Sequence, residues 1–151
     1  MRPADAEDLE TLLDLMADFY EESGYALDQP HAAEAFTALL ADARLGRVWL
    51  IEQGLEVVGH IVVTFVFAME YGGVTAVVDD FYVRPAFRGA GLGTAALAEV
   101  RRACAELGVR AMRVEVGRDN AAAQAVYRHV GFEAVDRLLM TLPLADPTHV
   151  V

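Results

Sequence analysis

The chain of 151 residues carries 23 acidic against 12 basic residues for a net charge of −11, and it is 55% hydrophobic with a mean hydropathy of +0.30. That length suits one domain able to bury most of its apolar surface, and the apolar balance excludes a disordered chain. The negative field repels nucleic-acid phosphates and anionic membranes and suits a cationic partner, so no nucleic acid and no membrane is expected as a partner.

The first periodic segment, residues 6–20, places Leu9, Leu12, Leu13, Met16, Phe19 and Tyr20 at spacings of three and four, one face of an amphipathic helix. After the acidic turn Glu21-Glu22-Ser23-Gly24-Tyr25, Pro30 opens a second helix bearing Ala33, Phe36, Leu39 and Leu40, with Gly46 placed to end it. Residues 48–51 and 57–67 are rich in β-branched and aromatic side chains and flank Gln53-Gly54, which predicts a hairpin. A third strand over residues 74–83 follows Gly72-Gly73 and must stop at Pro85. Leu92, Ala96, Val100, Ala103, Cys104 and Leu107 then recur at helical spacing before Gly108. A strand over 110–116, a helix from an Asn120 cap to Val130 and Gly131, and a last strand over 135–142 complete the chain, while residues 145–151 show no pattern. The predicted order is α-α-β-β-β-α-β-α-β: an α/β (α+β) sandwich with a mixed, mostly antiparallel central sheet, in one domain over residues 1–151.

The longest charge-free apolar stretch, residues 57–69, is too short to cross a bilayer as a helix. Met1-Arg2-Pro3-Ala4-Asp5 lacks the basic-then-apolar pattern of an export signal, and Cys104 has no second cysteine to pair with. A cytoplasmic location is expected.

Chemistry concentrates in Arg88-Gly89-Ala90-Gly91-Leu92-Gly93-Thr94, set between a strand and a helix. Free backbone N–H groups and the positive helix end make an anion site there, Gly89, Gly91 and Gly93 offer positive φ and close approach, and Arg88 adds a permanent charge. A diphosphate fits. A Gly-Lys-Ser/Thr nucleotide loop is excluded because Gly93, not lysine, precedes Thr94, and a dinucleotide fingerprint counted from Gly89 requires a small residue where Thr94 stands.

Arg-x-x-Gly-x-Gly after a Val-Arg-Pro strand end resembles the acetyl-CoA pyrophosphate motif of the GNAT acetyltransferase superfamily. Asp79-Asp80-Phe81-Tyr82-Val83-Arg84-Pro85 is similar to the family's fourth strand, and Asn120, Ala123, Tyr127 and Gly131-Phe132 to its Asn-x-x-Ala-x-x-x-Tyr-x-x-x-Gly-Phe signature. The short N-terminus departs from the pattern, leaving only two or three residues for a first strand. The resemblance implies acetyl-CoA as co-substrate, with the backbone of Phe81, Tyr82 and Val83 pairing with the pantetheine chain and the amides of Arg88 to Thr94 holding the pyrophosphate. Asn120 then bonds the pantetheine or simply caps its helix. Tyr127 is the family-matched acid for the departing thiolate.

Transfer to an amine needs a neutral nitrogen, and Asp79 and Asp80 stand at the offset where polyamine-acetylating relatives carry an acidic pair. Neighbours on a strand face opposite ways, so at most one reaches the acceptor directly, and the pattern favours Asp79. Tyr20, Glu22, Glu70 and Tyr71 are candidates to line an amine mouth, by attraction and by aromatic stacking. Phe19 fits the core better than the pocket, His60 reads as a buried, hydrogen-bonded histidine, His129 lies on a helix face, and Cys104 reads as inert. No metal is needed. The function expected is acetyl transfer to a primary amine of a small molecule or of a protein lysine or N-terminus, with a possible homodimer; the competing class is a catalytically silent acyl-CoA-binding module, and a longer acyl donor is a further option.

Overall fold

The computed structural model describes residues 1–145. Its elements in chain order are β1 (Arg2–Pro3), α1 (Leu9–Ser23), α2 (Gln29–Ala41), β2 (Gly46–Gln53), β3 (Glu56–Ala68), β4 (Gly73–Val83), α3 (Leu92–Glu106), β5 (Met112–Val114) and α4 (Ala121–Val130). The five strands lie in the order β1-β2-β3-β4-β5, antiparallel except for the β4–β5 pair. That parallel pair requires a crossover, which α3 supplies. The mixed, mostly antiparallel sheet flanked by helices is the architecture the sequence implied.

The predicted order needs correcting at both ends. A strand, β1, precedes α1; it is too short for a period-two pattern and is held by Arg2, whose Nη atoms donate to Asp8 at 2.9 and 2.8 Å and whose Nε donates to Glu52 at 2.9 Å. Residues 135–142 form no strand: from Glu133 to Leu144 the chain joins no ladder among the described residues and makes no turn. Gly46 does not end the second helix but opens β2, where a Cβ would stand 2.1 Å from the Val63 carbonyl oxygen; the close approach of two strands requires glycine there. The patternless tail 146–151 lies outside the described residues. Among the described residues no helix is long and apolar enough to cross a membrane.

Both sheet faces are covered, which explains why the strands read as nearly unbroken apolar runs. Toward α1 and α2, Val48, Leu50, Val62 and Tyr82 pack with Leu12, Leu15 and Phe36. Toward α3 and α4, Trp49, Ile51, Ile61, Val63 and Val78 pack with Leu97, Val100 and Cys104. His60 shares the first layer through its register with Leu50 and Tyr82.

His60 is buried as expected, but it is not hydrogen-bonded. Neither imidazole nitrogen has a partner among the described residues, and the ring sits between Phe36 and Tyr82. Burial pushes its pKa down to about 4. The ordinary value is near 6.5, so the unfolded chain takes up a proton that the folded one refuses, and stability falls as pH drops from about 6.5 to about 4. Replacing His60 with leucine removes two unsatisfied polar atoms at similar volume. His60→Leu is therefore expected to stabilise the fold by roughly 1–3 kcal/mol at pH 7, with a larger gain at pH 5, as read by urea denaturation at the two pH values.

Candidate active site

The site begins where β4 outruns β5. The parallel ladder holds from Ala76↔Met112 to Val78↔Val114 and ends there, while β4 continues to Val83. Beyond Val78, β4 is paired among the described residues on its β3 side alone, which leaves a notch lined by backbone amides and carbonyls. Such an edge hydrogen-bonds an extended amide chain in strand fashion.

A β-bulge falls at the same place. Val63 pairs with Val78 and Val62 with Asp80, so Asp79 is the extra residue. The bulge breaks the strict alternation assumed from the sequence, and both carboxylates influence one region: burial first, then the Asp80 and Asp79 charges, raise the Tyr20 phenol's pKa. Asp80 shares the face of Val62 and Tyr82, toward α1, and is half-buried, whereas Asp79 is exposed. Loss of solvent and then the Asp79 charge push Asp80 up to about 6, and partial burial raises Asp79 as well.

The glycine-rich turn leads from β4 into α3. Gly91, at φ +80°, is the N-cap residue, no side chain caps the helix, and Ala95 N–H donates to the Gly91 carbonyl. The amides of Leu92, Gly93 and Thr94, which precede that bond, point out of the helix end without backbone partners among the described residues, as an anion site requires. Gly89 also has positive φ, but Gly93 does not. A Cβ on Gly93 would stand 2.9 Å from the Phe81 ring, so that glycine is there to let α3 close on β4. Ala90 is exposed beside them.

Arg88 differs from expectation. Its Nη1 and Nη2 each donate to a Glu22 carboxylate oxygen at 2.7 Å, its Nε donates to the Val83 carbonyl at 2.7 Å, and its guanidinium lies 5.4 Å over the Tyr82 ring. Glu22 was expected at the amine mouth; here Arg88 engages it and holds its carboxyl below the usual range. The end of α1 is thereby fastened to the glycine-rich turn. An acid 66 residues away carries no sequence signal for that pairing.

Tyr127 of α4 is buried on the opposite face of the sheet, its ring 6.2 Å from Phe81 and 5.5 Å from Phe132. Burial pushes its phenol up to about 12, so it stays protonated at neutral pH. Asn120 caps α4, its Oδ1 accepting from Ala123 N–H at 3.1 Å, and Gln124 fastens the preceding loop through Nε2 to the Gly117 and Arg118 carbonyls. Ala123 is partly buried against the same core.

On the α1 side, Tyr20 stands edge-on to Phe19 and Tyr25, and Phe19 contacts Tyr82. Tyr25 was read only as part of a turn; its N–H donates to the Tyr20 carbonyl, which folds it back onto the aromatic group. Glu70 accepts two bonds from Arg137 at 3.0 Å, and Tyr71 lies beside it on the exposed β3–β4 connection. His129 is exposed on α4. Cys104 is buried, which pushes its thiol up and leaves it unreactive. A shallow surface depression of about 430 Å³, lined by Met1, Trp49, Glu99 and Arg102 among others, includes none of the site residues.

The model of the acetyltransferase (GNAT) family matches residues 9–132. An integron cassette protein from the mobile metagenome of Cole Harbour Salt Marsh is 49% identical, with a TM-score of 0.89 over 98% of this chain and 92% of that one. A predicted acetyltransferase from Clostridium acetobutylicum, solved with acetyl-CoA, is 19% identical, with a TM-score of 0.79 over 93% of this chain and 94% of that one. An aminoglycoside antibiotic 6'-N-acetyltransferase from Acinetobacter haemolyticus is 17% identical, with a TM-score of 0.76 over 96% of this chain and 98% of that one. No curated protein matches the sequence.

The raised Asp80 carboxyl has a stability consequence. An acid whose folded pKa is lifted from 3.8 to about 6 resists ionisation in the fold, so its cost is absent below pH 4, develops between about pH 4 and 6, and is complete above that. Asp80→Asn is expected to stabilise the protein by on the order of 2 kcal/mol at pH 8, several degrees in Tm, and by nothing at pH 4; melting curves across that range check it.

Proposed function

The chain belongs to the acetyltransferase (GNAT) family, and from that premise we propose that residues 1–151 act as one domain moving acetyl from acetyl-CoA to a primary amine of a small molecule or of a protein lysine or N-terminus. The observation that carries this reading is the open β4 edge, with a raised carboxyl at its bulge, an uncapped helix end beside it and a protonated tyrosine behind it. The acetyltransferase of the same fold that acts at an aminoglycoside 6'-amine supports the choice of nitrogen as acceptor atom.

The residues present fit acetyl-CoA, which supplies the activated acyl group when bound. Amides at the start of α3 hold the pyrophosphate, and the free edge of Phe81, Tyr82 and Val83 takes the pantetheine chain. Asn120 uses its Oδ1 on the helix and keeps its amide N–H groups for that chain. The exposed Asp79 and the Tyr20 and Tyr25 rings draw in and orient an ammonium group. Asp80, ionised above about pH 6, accepts the proton that frees the nitrogen lone pair, directly or through water. The new N–C bond forms as the C–S bond breaks, and Tyr127 gives its proton to the sulfur and recovers one from solvent. The buried lone cysteine is compatible with work in the reducing cytoplasm.

Free-thiol release by the purified protein with acetyl-CoA and an amine panel tests the proposal; tight CoA binding without turnover on any amine would overturn it in favour of a silent binding module. Tyr127→Phe is expected to lower kcat about 100-fold or more while leaving CoA affinity within threefold; unchanged kcat removes the acid role. Wild-type kcat/KM, which reports the free enzyme, is expected to rise with pH around 6, and Asp80→Asn to lose both that limb and most of the rate.

A further inference from the structure

The depression of about 430 Å³ away from the β4 edge has a polar floor. It lies where α3 overhangs the short edge of the sheet. There β1 supplies only the Arg2↔Leu50 and Pro3↔Trp49 pairs, and the Trp49 side chain faces Glu99, Arg102, Ala103 and Glu106 of α3. Trp49 is 6% exposed, and its indole N–H donates to no acceptor among the described residues. An enclosed indole N–H ordinarily finds an acceptor. This one is not enclosed, since the fully buried orphan nitrogens among the described residues are the two of His60. The small part of Trp49 that meets solvent therefore includes Nε1, and it does so in the depression.

The wall above that donor carries charges in a fixed order. Glu99, Arg102 and Glu106 stand at i, i+3 and i+7 on one face of α3, and the small Ala103 between them leaves open the space a longer side chain would fill. Spacings of three and four suit ion pairs along a helix, yet among the described residues none of these three side chains forms one. All three are exposed. Two carboxylates against one guanidinium leave the wall one charge negative. The volume lies within the range of roughly 300–1,000 Å³ that small-ligand sites occupy, and neither Asp80, Tyr127 nor the glycine-rich turn lines it.

We propose that this depression is a second binding site, separate from the transfer centre, for an α-amino acid with a cationic side chain. The ligand's carboxylate accepts from the Arg102 guanidinium and from the Trp49 N–H. Its α-ammonium pairs with one glutamate and its side-chain cation with the other, two turns away and about 10 Å along the helix axis. Such a ligand carries one net positive charge at neutral pH, which cancels the charge of the wall, and the field of a chain of −11 draws it in. Other small ions match less of the site. A diamine offers nothing to Arg102 and the indole, a simple carboxylate is repelled by both glutamates, and a neutral zwitterion leaves one glutamate unmatched. Because Trp49 packs with Leu97 and Val100 beneath α3, a ligand seated there ties the helix to the edge of the sheet.

Trp49 is the single tryptophan of the chain, so its emission reports on this depression without reference to catalysis. Titration of the full chain with L-lysine, read by Trp49 fluorescence and by calorimetry, is expected to saturate in both with a Kd on the order of 1 mM, since exposed charges contribute little singly. L-norleucine, which lacks the side-chain cation, and cadaverine, which lacks the carboxylate, are each expected to bind roughly tenfold more weakly or worse. Arg102→Gln and Glu106→Gln change exposed side chains on the wall. Each is expected to weaken L-lysine by a similar factor with circular dichroism unchanged, whereas Asp80→Asn, in the transfer centre, is expected to leave the Trp49 titration as it was. No response in either measurement, heat without a Trp49 response, equal binding of the three compounds, binding that survives Arg102→Gln, or a Trp49 response lost in Asp80→Asn would each overturn the proposal.

Discussion

Divergence of β4 from β5 after the Val78↔Val114 pair is the constraint on which the rest of the site depends. While the strands run together, their polar groups satisfy one another; once they part, the edge of β4 must be satisfied by something else. The same departure gives room for the bulge at Asp79, which rotates Asp80 toward α1, and it gives α3 its starting point above the gap. Gly93 then lets α3 come down to the Phe81 ring, which Tyr127 touches from α4. Donor groups, carboxylates and phenol are thus arranged around one break in a hydrogen-bond ladder.

Charge is distributed to suit two ligands of opposite sign. An acidic chain attracts amines but repels a diphosphate, and the phosphate turn answers the repulsion with helix amides rather than with a free cation, since Arg88 is engaged by Glu22. The pair neutralises itself while clamping the end of α1 to the glycine-rich turn. Asp79 and Asp80 have no such cation beside them among the described residues, and desolvation lifts the Asp80 carboxyl to about 6.

Most of the architecture was legible because helix and strand periods are local properties. Leu9 to Tyr20, the β3 run and the α3 face each declare themselves within one window, and the glycine-rich turn is contiguous. What escaped depends on distant partners. The bulge at Asp79 exists because β3 and β4 fall out of step, and alternation counted along β4 alone does not report it. Glu22 reads as an exposed acid until Arg88 is folded against it. Residues 135–142 have the composition of a strand and lack only a neighbour, which no local pattern reports. Gly46 looked like a helix stop because its actual reason, the Val63 carbonyl, lies across the sheet.

Exposure of the apolar residues after α4 also decides where oxidants act. Cys104 is shut in the core with its thiol protonated, so the sulfur chemistry open to peroxide falls to thioethers, and Met140, 88% accessible, is among the most available. Sulfoxidation there would turn a greasy strand residue into a polar, chiral one, while a paired strand would shield it. The redox history of the protein would then be written on a methionine rather than on its single cysteine, and it would record how long that methionine had stood in water.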